Sequence, residues 1–224
     1  MKPTIAIGDI HGLATWKTIV ENHPESRIIF LGDYLDPYMY IPNKVLINNL
    51  RNIIDLKKER ADDVILLLGN HDVHYFVEDA PSCTRRNYQI APEAFKIFTE
   101  NQTLFTYAFQ DGQTIFTHAG ISQQWFDFDF GGDPNSNIAD QINNPANKVR
   151  QNAIFSIGYL RGGMRSDRGG ILWADIDELT NPLQGYTQVV GHNRVEKITE
   201  RQGSTPDTKI IFCDCLFNDC YLQL

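Results

Sequence analysis

The chain has 224 residues, 42% of them hydrophobic and 21% charged, with a formal net charge of −8. This composition is ordinary for a soluble globular protein and predicts one α/β domain with a substantial core. The negative charge argues against nucleic acid as a bulk electrostatic partner. No apolar run approaches the ~18 residues that indicate a membrane span. The start leads directly into a predicted strand, without a signal peptide's apolar segment. We therefore predict a cytoplasmic protein without a membrane partner.

The first half of the chain alternates between short apolar runs and amphipathic segments. This pattern predicts strands at 4–7, 28–31 and 64–68, joined by helices at 13–22 and 42–60. The strands are short continuous apolar runs, which are typical of a buried parallel sheet.

Polar residues follow each of these strands and two later ones. The residues so placed are Asp9, His11, Asp33, Asp36, Asn70, His71, His118 and His192. In open α/β sheets, ligands bind beyond the carboxyl ends of the strands. The sequence therefore predicts one site built from five strand ends.

The second half is less regular. Its pattern predicts a helix at 92–101. A hairpin of 104–110 with 114–117 is expected around Asp111-Gly112. From this hairpin onwards, antiparallel strand pairing is expected to replace the parallel pairing of the first half. Residues 121–167 form a predicted insertion or lid, and its aromatic-acidic run, 125–130, indicates a wall or edge. A final hairpin of 209–215 and 220–224 is expected to edge a second sheet. No repeat or linker is visible, so we predict a single domain over 1–224.

Cysteines are few and mostly gathered near the end. Cys213, Cys215 and Cys220 lie together, whereas Cys83 stands apart. They could contribute to a zinc site, but no CxxC pair or nearby histidine completes one. Buried free thiols in a reducing compartment are the favoured interpretation.

The ordered motifs resemble those of calcineurin-like metallophosphoesterases. They are Gly8-Asp9-Ile10-His11-Gly12, Gly32-Asp33-Tyr34-Leu35-Asp36, Gly69-Asn70-His71-Asp72, Thr117-His118-Ala119-Gly120 and Gly191-His192. Within that superfamily the series is similar to the phosphoprotein phosphatase branch and its bacterial and phage relatives. The resemblance implies an α/β/β/α sandwich of two mostly mixed sheets flanked by helices.

The resemblance also implies two divalent metal ions, Mn²⁺, Fe²⁺/Fe³⁺ or Zn²⁺. Asp9, His11 and Asp33 would hold the first ion, and the second would be held by Asp33, Asn70, His118 and His192. The ordinary alternatives are a helix cap for Asp9 and a core histidine for His118. Four of the six histidines lie within the motifs, however, and these alternatives do not explain that.

The implied activity is phosphomonoester hydrolysis by a hydroxide that bridges the ions, with phosphoserine and phosphothreonine among the substrates. By resemblance, His71 is the general acid and Asp36 orients it. His74, one turn further on, could substitute for His71 or assist it, but is interpreted as a residue behind the site's own residues or at the surface. A phosphodiesterase or dinucleoside polyphosphate hydrolase is the alternative, and a non-catalytic scaffold a more distant one.

The chain departs from the family pattern in its arginines. Pro37 stands where the family usually has a phosphate-binding arginine. Leu172-Trp173-Ala174-Asp175 resembles the family's Leu-Trp-Ser-Asp segment, but the arginine-bearing segment that follows it in the eukaryotic enzymes is not recognisable. Asp72 also replaces the usual glutamate. Arginines supplied from elsewhere would then bind the phosphate. The candidates are Arg161, Arg165, Arg168 and Arg85, although a solvated loop is an equal interpretation for any one of them.

Overall fold

The computed structural model describes residues 2–164 and 166–224, and these form two five-stranded sheets. The first sheet has the order β10 (Leu222–Gln223), β1 (Thr4–Ile7), β2 (Arg27–Phe30), β3 (Val64–Leu67) and β4 (Phe105–Thr106). The second has the order β5 (Ala108–Asp111), β6 (Thr114–Thr117), β7 (Thr187–Arg194), β9 (Lys209–Asp214) and β8 (Thr199–Gln202).

Helices flank the sheets. They are α1 (Trp16–Asn22), α2 (Asn43–Glu59), α3 (Asn70–Val73), α4 (Ala91–Glu100), α5 (Ile138–Asn143) and α6 (Lys148–Ile154). The predicted helices at 13–22, 42–60 and 92–101 are confirmed with slightly different ends. Within the described residues, no helix combines the length and apolar character needed to cross a bilayer.

The core follows from the alternation of side chains along each strand. Ala6, Ile29 and Leu67 of the first sheet pack against Val189 and Ile211 of the second. Their strand neighbours point to the opposite face of the first sheet, where they join a larger cluster with the helices: Ile5, Ile7, Ile28, Phe30 and Leu66. Because successive residues face opposite sides of a sheet, short unbroken apolar runs serve both layers. The expected sandwich of two mixed sheets is confirmed.

Parallel pairing dominates both sheets near the predicted site. Strands β1, β2 and β3 run parallel in the first sheet, and β6, β7 and β9 run parallel in the second. The expected change to antiparallel pairing is wrong for these later strands, since in the second sheet it holds only for β5 with β6 and for β8 with β9. Six carboxyl ends are consequently available to one site.

The predicted strand 104–110 is two strands in different sheets. Phe105–Thr106 pairs with β3 and Ala108–Asp111 pairs with β6. The Asn143 side chain accepts hydrogen bonds from the backbone N–H groups of Tyr107 (2.9 Å) and Ala108 (3.0 Å). It thereby satisfies two backbone N–H groups at the point where the chain crosses from the first sheet to the second. The hairpin around Asp111-Gly112 is confirmed.

The predicted hairpin of 209–215 and 220–224 is wrong. Strand β9 belongs to the second sheet, whereas β10 pairs antiparallel with β1 of the first. A short 3₁₀ turn, Leu216–Asn218, and a left-handed Asp219 carry the chain between the sheets. The sequence shows the turn but not the sheet to which it leads.

Residues 121–167 contain a turn of π-helix, Trp125–Phe130, followed by α5 and α6. Trp125, Phe126 and Phe130 are buried, and the Trp125 indole N–H donates to the carbonyl of Ala153 at 3.2 Å. The aromatic-acidic run therefore packs as one face of a helical turn against α6.

Candidate metal centre

The loops after the strands contain an unusual backbone conformation. Of the six described non-glycine residues with positive φ, five belong to this region: His11 (40°), Asp33 (53°), Asp36 (57°), Arg85 (61°) and His192 (59°). Residues other than glycine rarely adopt a positive φ, because the Cβ atom then crowds the backbone. The resulting backbone strain persists only where the surrounding structure imposes it. Its concentration in these loops is typical of a functional site.

Two glycines allow the backbone to approach the central carboxylates. A Cβ atom on Gly69 would lie 2.1 Å from Asp33 Oδ1, and one on Gly191 would lie 2.2 Å from Asp9 Oδ1. Both distances are far inside van der Waals contact, so neither position accepts a side chain. The glycines of the Gly-Asn-His and Gly-His motifs thus make room for carboxylates delivered by other strands.

The first group of candidate metal ligands comprises Asp9, His11 and Asp33. His11 Nε2 lies 3.6 Å from Asp33 Oδ2 and 3.9 Å from Asp9 Oδ2. The other ring nitrogen, Nδ1, lies 2.8 Å from the carbonyl of Leu35. A carbonyl can only accept, so Nδ1 carries the proton and Nε2 presents a lone pair to the carboxylates.

The second group comprises Asp33, His118 and His192, with Asn70 beside them. His118 Nε2 lies 3.5 Å from Asp33 Oδ2 and 2.9 Å from Asn70 Oδ1, while its Nδ1 contacts the Leu31 carbonyl at 2.7 Å. His192 Nδ1 lies 3.0 Å from the same Asn70 oxygen. The Asp33 carboxylate is therefore common to both groups.

Burial sets the charge states in this cluster. Desolvation, followed by repulsion from Asp214 and Asp33, raises the pKa of Asp9, and desolvation with repulsion from Asp72 raises that of Asp33. Burial also lowers the pKa values of His11 and His118 to about 3. Neutral imidazoles beside carboxylates that repel one another form a donor set that fits divalent cations of hard to borderline character.

His71 lies beside this cluster and pairs with Asp36. Its Nδ1 contacts Asp36 Oδ2 at 2.8 Å, and the Tyr75 hydroxyl donates to Asp36 Oδ1 at 2.5 Å. Burial opposes ionisation of Asp36, but hydrogen bonds from His71, His74 and Tyr75 outweigh it and lower its pKa to about 2. Asp36 is thus a buried, ionised acceptor that fixes the orientation of the His71 ring.

The family model of the calcineurin-like phosphoesterases matches residues 2–205. The chain belongs to this family. Membership makes it a metal-dependent phosphoesterase, and enzymes of this family typically use two metal ions.

Solved structures to which the chain is similar include two phosphatases and a metallophosphoesterase. A cold-active protein-tyrosine phosphatase from a psychrophilic Shewanella species is 15% identical with a TM-score of 0.57; the match covers 98% of this chain and 72% of that one. A serine/threonine phosphatase from Saccharomyces cerevisiae is 15% identical, with a TM-score of 0.45 and coverage of 98% and 58%. A metallophosphoesterase from Sphaerobacter thermophilus is 13% identical, with a TM-score of 0.40 and coverage of 94% and 75%. The first of these shows the shared fold.

A cavity of about 250 Å³ opens onto the phosphoesterase centre. Two of the four candidate arginines, Arg85 and Arg161, line it. Arg85 lies 3.3 Å from His71 Nε2 and donates to the Asp36 carbonyl at 3.2 Å. Arg161 is held by Asp175 at 2.7 Å and by Asn193 at 2.5 Å. Both guanidinium groups are therefore anchored beside the candidate ligands.

The other two candidate arginines differ from this pair. Arg168 is absent from the residues that line the cavity and pairs with Asp129 at 2.8 Å. Arg165 lies outside the described residues. The Arg-Gly run thus places Arg161 at the centre and turns Arg168 towards the π-helical turn.

His74 lies behind the residues of the centre and not at the surface, because only 4% of it is exposed. Its Nε2 lies 2.9 Å from Asp36 Oδ2, and its Nδ1 accepts a hydrogen bond from the backbone N–H of Cys83 at 3.1 Å. The position one turn after His71 in the sequence was a signal of this proximity, but not of the burial.

Two acidic residues at this phosphoesterase centre were given no role from the sequence: Asp214, which belongs to none of the motifs, and Asp72, which was noted only as a replacement for the usual glutamate. Asp214, at the end of β9, is 3% exposed, and burial raises its pKa to about 6. It lines a second cavity, of about 60 Å³, together with Asp9 and His11. Asp72 accepts backbone hydrogen bonds from Asp33, Tyr34 and Gly69 at 2.7–2.9 Å. The run Ile210-Ile211-Phe212-Cys213-Asp214 carries the same apolar-then-acidic signal as the earlier strands.

Proposed function

We propose that this protein is a dinuclear metal-dependent phosphomonoesterase. The observation that carries the proposal is the position of Asp33, whose Oδ2 lies 3.6 Å from His11 Nε2 and 3.5 Å from His118 Nε2. A carboxylate between two imidazole donors from different sheets can serve both ions of a two-metal site. Phosphoserine and phosphothreonine are the substrates that we propose first.

Asp9, His11 and Asp33 would hold the first ion, and Asp33, Asn70, His118 and His192 the second. The donor set of carboxylate, imidazole and amide oxygen fits Mn²⁺, Fe²⁺/Fe³⁺ or Zn²⁺. When bound, such ions supply charge neutralisation for the phosphate and a water of lowered pKa as nucleophile. The protein orients the His11 ring through the carbonyl of Leu35 and the His118 ring through that of Leu31.

Arg85 and Arg161 would bind the phosphate oxygens. Both line the cavity of about 250 Å³ and are held by polar partners, so little side-chain freedom is lost when they bind an anion. A phosphomonoester presents three non-bridging oxygens to these two donors, whereas a diester presents two. The larger number of acceptors favours the monoesterase over the diesterase.

His71 would donate a proton to the leaving oxygen through Nε2, with Asp36 holding Nδ1. Burial lowers the pKa of His71, and the Arg85 charge lowers it further. A phosphate dianion bound at Arg85 would offset that charge and favour the imidazolium form. The acid would thus be protonated when the substrate is present.

An open groove of about 910 Å³ adjoins the cavity, and Ile157 lines both. Exposed Phe128 and Met164 lie along this groove. Space for an extended chain next to a phosphate cavity supports a phosphorylated polypeptide as substrate. We propose that residues 121–167, within a single domain, form the wall or lid on this side.

The cellular setting is also a proposal. All four cysteines are free, and Cys83, Cys213 and Cys215 are buried. Reduced thiols support a cytoplasmic location. The net charge of −8 argues against nucleic acid as a bulk electrostatic partner, and a phosphoester substrate is the partner that we propose.

The deciding experiment compares p-nitrophenyl phosphate with bis(p-nitrophenyl) phosphate after metal removal and reloading with Mn²⁺ or Zn²⁺. We expect two ions per chain by elemental analysis and faster turnover of the monoester. Faster turnover of the bis-ester would favour the phosphodiesterase. Two bound ions with neither ester hydrolysed would favour the scaffold.

A further inference from the structure

We propose that His74 is a positioning residue that joins the Asp36–His71 pair to the loop carrying Arg85. This rests on the proposed function, because it assigns His74 an effect on both proton donation and phosphate binding. Neither effect requires His74 to contact the substrate.

The hydrogen bonds of His74 determine its tautomer. Nδ1 accepts from the backbone N–H of Cys83 at 3.1 Å, so this nitrogen carries no proton. In a neutral imidazole the proton is then on Nε2. Nε2 lies 2.9 Å from Asp36 Oδ2, off the ideal hydrogen-bond direction, and has no other partner within the described residues. His74 therefore presents an N–H to the carboxylate that holds His71.

Asp36 is restrained from three directions. Oδ2 faces His71 Nδ1 and His74 Nε2, while Oδ1 accepts from Tyr75. Two contacts on Oδ2 prevent the carboxylate from turning that oxygen away from His71. His74 and Tyr75 are consecutive residues after α3, so one turn of chain supplies two of the three contacts.

The second contact of His74 fixes the next loop. Cys83 is held through its backbone N–H by His74 and through its thiol by the carbonyl of Asn70 at 3.0 Å. Arg85, two residues later, adopts φ 61° and places its guanidinium carbon 3.9 Å from the centre of the Tyr38 ring. Loss of the Cys83 anchor would free the loop that positions Arg85.

Asp36, His71 and His74 also lie close enough together to hold a metal ion. The hydrogen bonds argue for a different role, because Nε2 of His74 carries a proton in the tautomer described above. A metal ligand must present a lone pair instead. A third metal ion is therefore an outcome that would contradict the inference.

Two substitutions separate the two contacts. The amide oxygen of Asn corresponds to the Nδ1 position of histidine, so His74→Asn retains an acceptor for Cys83 and loses the donor to Asp36. The amide nitrogen of Gln corresponds to the Nε2 position, so His74→Gln retains the donor and loses the acceptor. His23→Asn and His23→Gln are the matched controls, since His23 contacts the Tyr221 hydroxyl at 2.9 Å, away from the centre.

We expect His74→Asn to lower kcat for an alkyl phosphate about tenfold more than for p-nitrophenyl phosphate. This loss is smaller than the ~10²–10⁴-fold that a general acid contributes, because His71 itself remains. We expect His74→Gln to raise KM about 2- to 10-fold for both substrates, as the loss of one ordering hydrogen bond implies. Inorganic phosphate binding, measured by calorimetry, should weaken in His74→Gln only. The His23 variants should match the wild type.

Equal losses in both His74 variants on both substrates would reduce His74 to a packing residue and overturn the inference. So would a third ion per chain that His74→Asn removes. Nitrogen NMR of the Zn²⁺-loaded wild type provides a measurement that needs no variant: a protonated Nδ1 on His74 would contradict the assigned tautomer.

His71→Asn separates this inference from the proposed function. If His71→Asn lowers kcat equally for the alkyl phosphate and for p-nitrophenyl phosphate, His71 is not the general acid, and the inference fails with that role. If His71→Asn lowers kcat more for the alkyl phosphate and His74→Asn lowers kcat equally for both substrates, the inference alone is overturned.

Discussion

Asp33 and Asp72 fix the loops after β2 and β3 to each other. The Asp72 carboxylate accepts from the backbone N–H of Asp33 at 2.7 Å, and the Asp33 carboxylate accepts from the backbone N–H of His71 at 2.8 Å. The shared carboxylate and the candidate acid are therefore held by one short network of hydrogen bonds, in which Asp72 is 0% exposed. A change at either carboxylate should affect both loops.

The first prediction concerns metal binding. Asp33→Asn should weaken both ions, since it removes the one carboxylate common to the two groups. Asp9→Asn should mainly weaken the first ion. Titration of metal-free protein with Mn²⁺ or Zn²⁺, followed by elemental analysis, measures both effects. Two unchanged affinities in Asp33→Asn would exclude a bridging role for this residue.

The second prediction concerns the stability of metal-free protein. The folded-state pKa of Asp33 is raised, first by burial and then by Asp72, so its carboxyl favours folding below the unfolded pKa of ~3.9 and loses that contribution as pH rises. After the metal is removed by chelation, the free energy of unfolding of the wild type should therefore fall between pH 5 and pH 8 by more than that of Asp33→Asn. Each pKa unit corresponds to ~1.4 kcal/mol.

Urea unfolding at the two pH values tests this expectation. The difference between the curves reports the Asp33 carboxyl together with its effect on Asp9, which loses a repelling neighbour in Asp33→Asn. Asp55→Asn, at an exposed position of α2, is the control and should follow the wild type. Parallel curves for wild type and Asp33→Asn would show that burial imposes no penalty on this carboxylate.

The third prediction concerns the leaving group. His71→Asn should keep both metals and lose ~10²–10⁴-fold in kcat for an alkyl phosphate, with a much smaller loss for p-nitrophenyl phosphate. Nitrophenolate departs without a proton, whereas an alkoxide needs one. Asp36→Asn should show a weaker form of this selectivity, since Asp36 holds the ring at 2.8 Å without facing the substrate. Steady-state kinetics on both substrates provides the measurement. A uniform loss across substrates would remove His71 from the acid role.

The fourth prediction separates the arginines. Arg85→Ala and Arg161→Ala should each lower kcat/KM about 10- to 100-fold, as expected for a lost hydrogen bond to a charged group. Arg168→Ala is the matched control, because its guanidinium pairs with Asp129 away from the cavity. Comparison of KM with kcat shows whether the contact forms in the ground state or in the transition state. Wild-type kinetics in Arg85→Ala and Arg161→Ala would leave the phosphate to the metals alone.

The sequence predicts the candidate site well because the signal is local. An apolar run followed by Gly-Asp or Gly-His identifies both the strand and the residue at its end, as for Asp33 and His192. The structure brings these residues together because parallel strands end at a common edge. Asp214 had the same signal but lacked the glycine that marks the other motifs.

Long-range pairing could not be predicted in this way. Nothing local distinguishes a strand that pairs with β9 from one that crosses to β1, so β10 was assigned to the wrong sheet. The arginines present the same difficulty. Arg161 and Arg168 lie in one Gly-rich run, and only the positions of Asp175 and Asp129 decide which of them faces the cavity.

The pairing of β10 with β1 also protects the protein against self-association. Thr4 and Leu224 exchange backbone hydrogen bonds at 3.1 and 2.9 Å, so both sides of β1 are occupied. Without residues 221–224, β1 would be an open edge that can add a strand from another molecule. Because Asp9 follows β1 directly, a shortened chain would combine an aggregation-prone edge with a disturbed first group of candidate ligands.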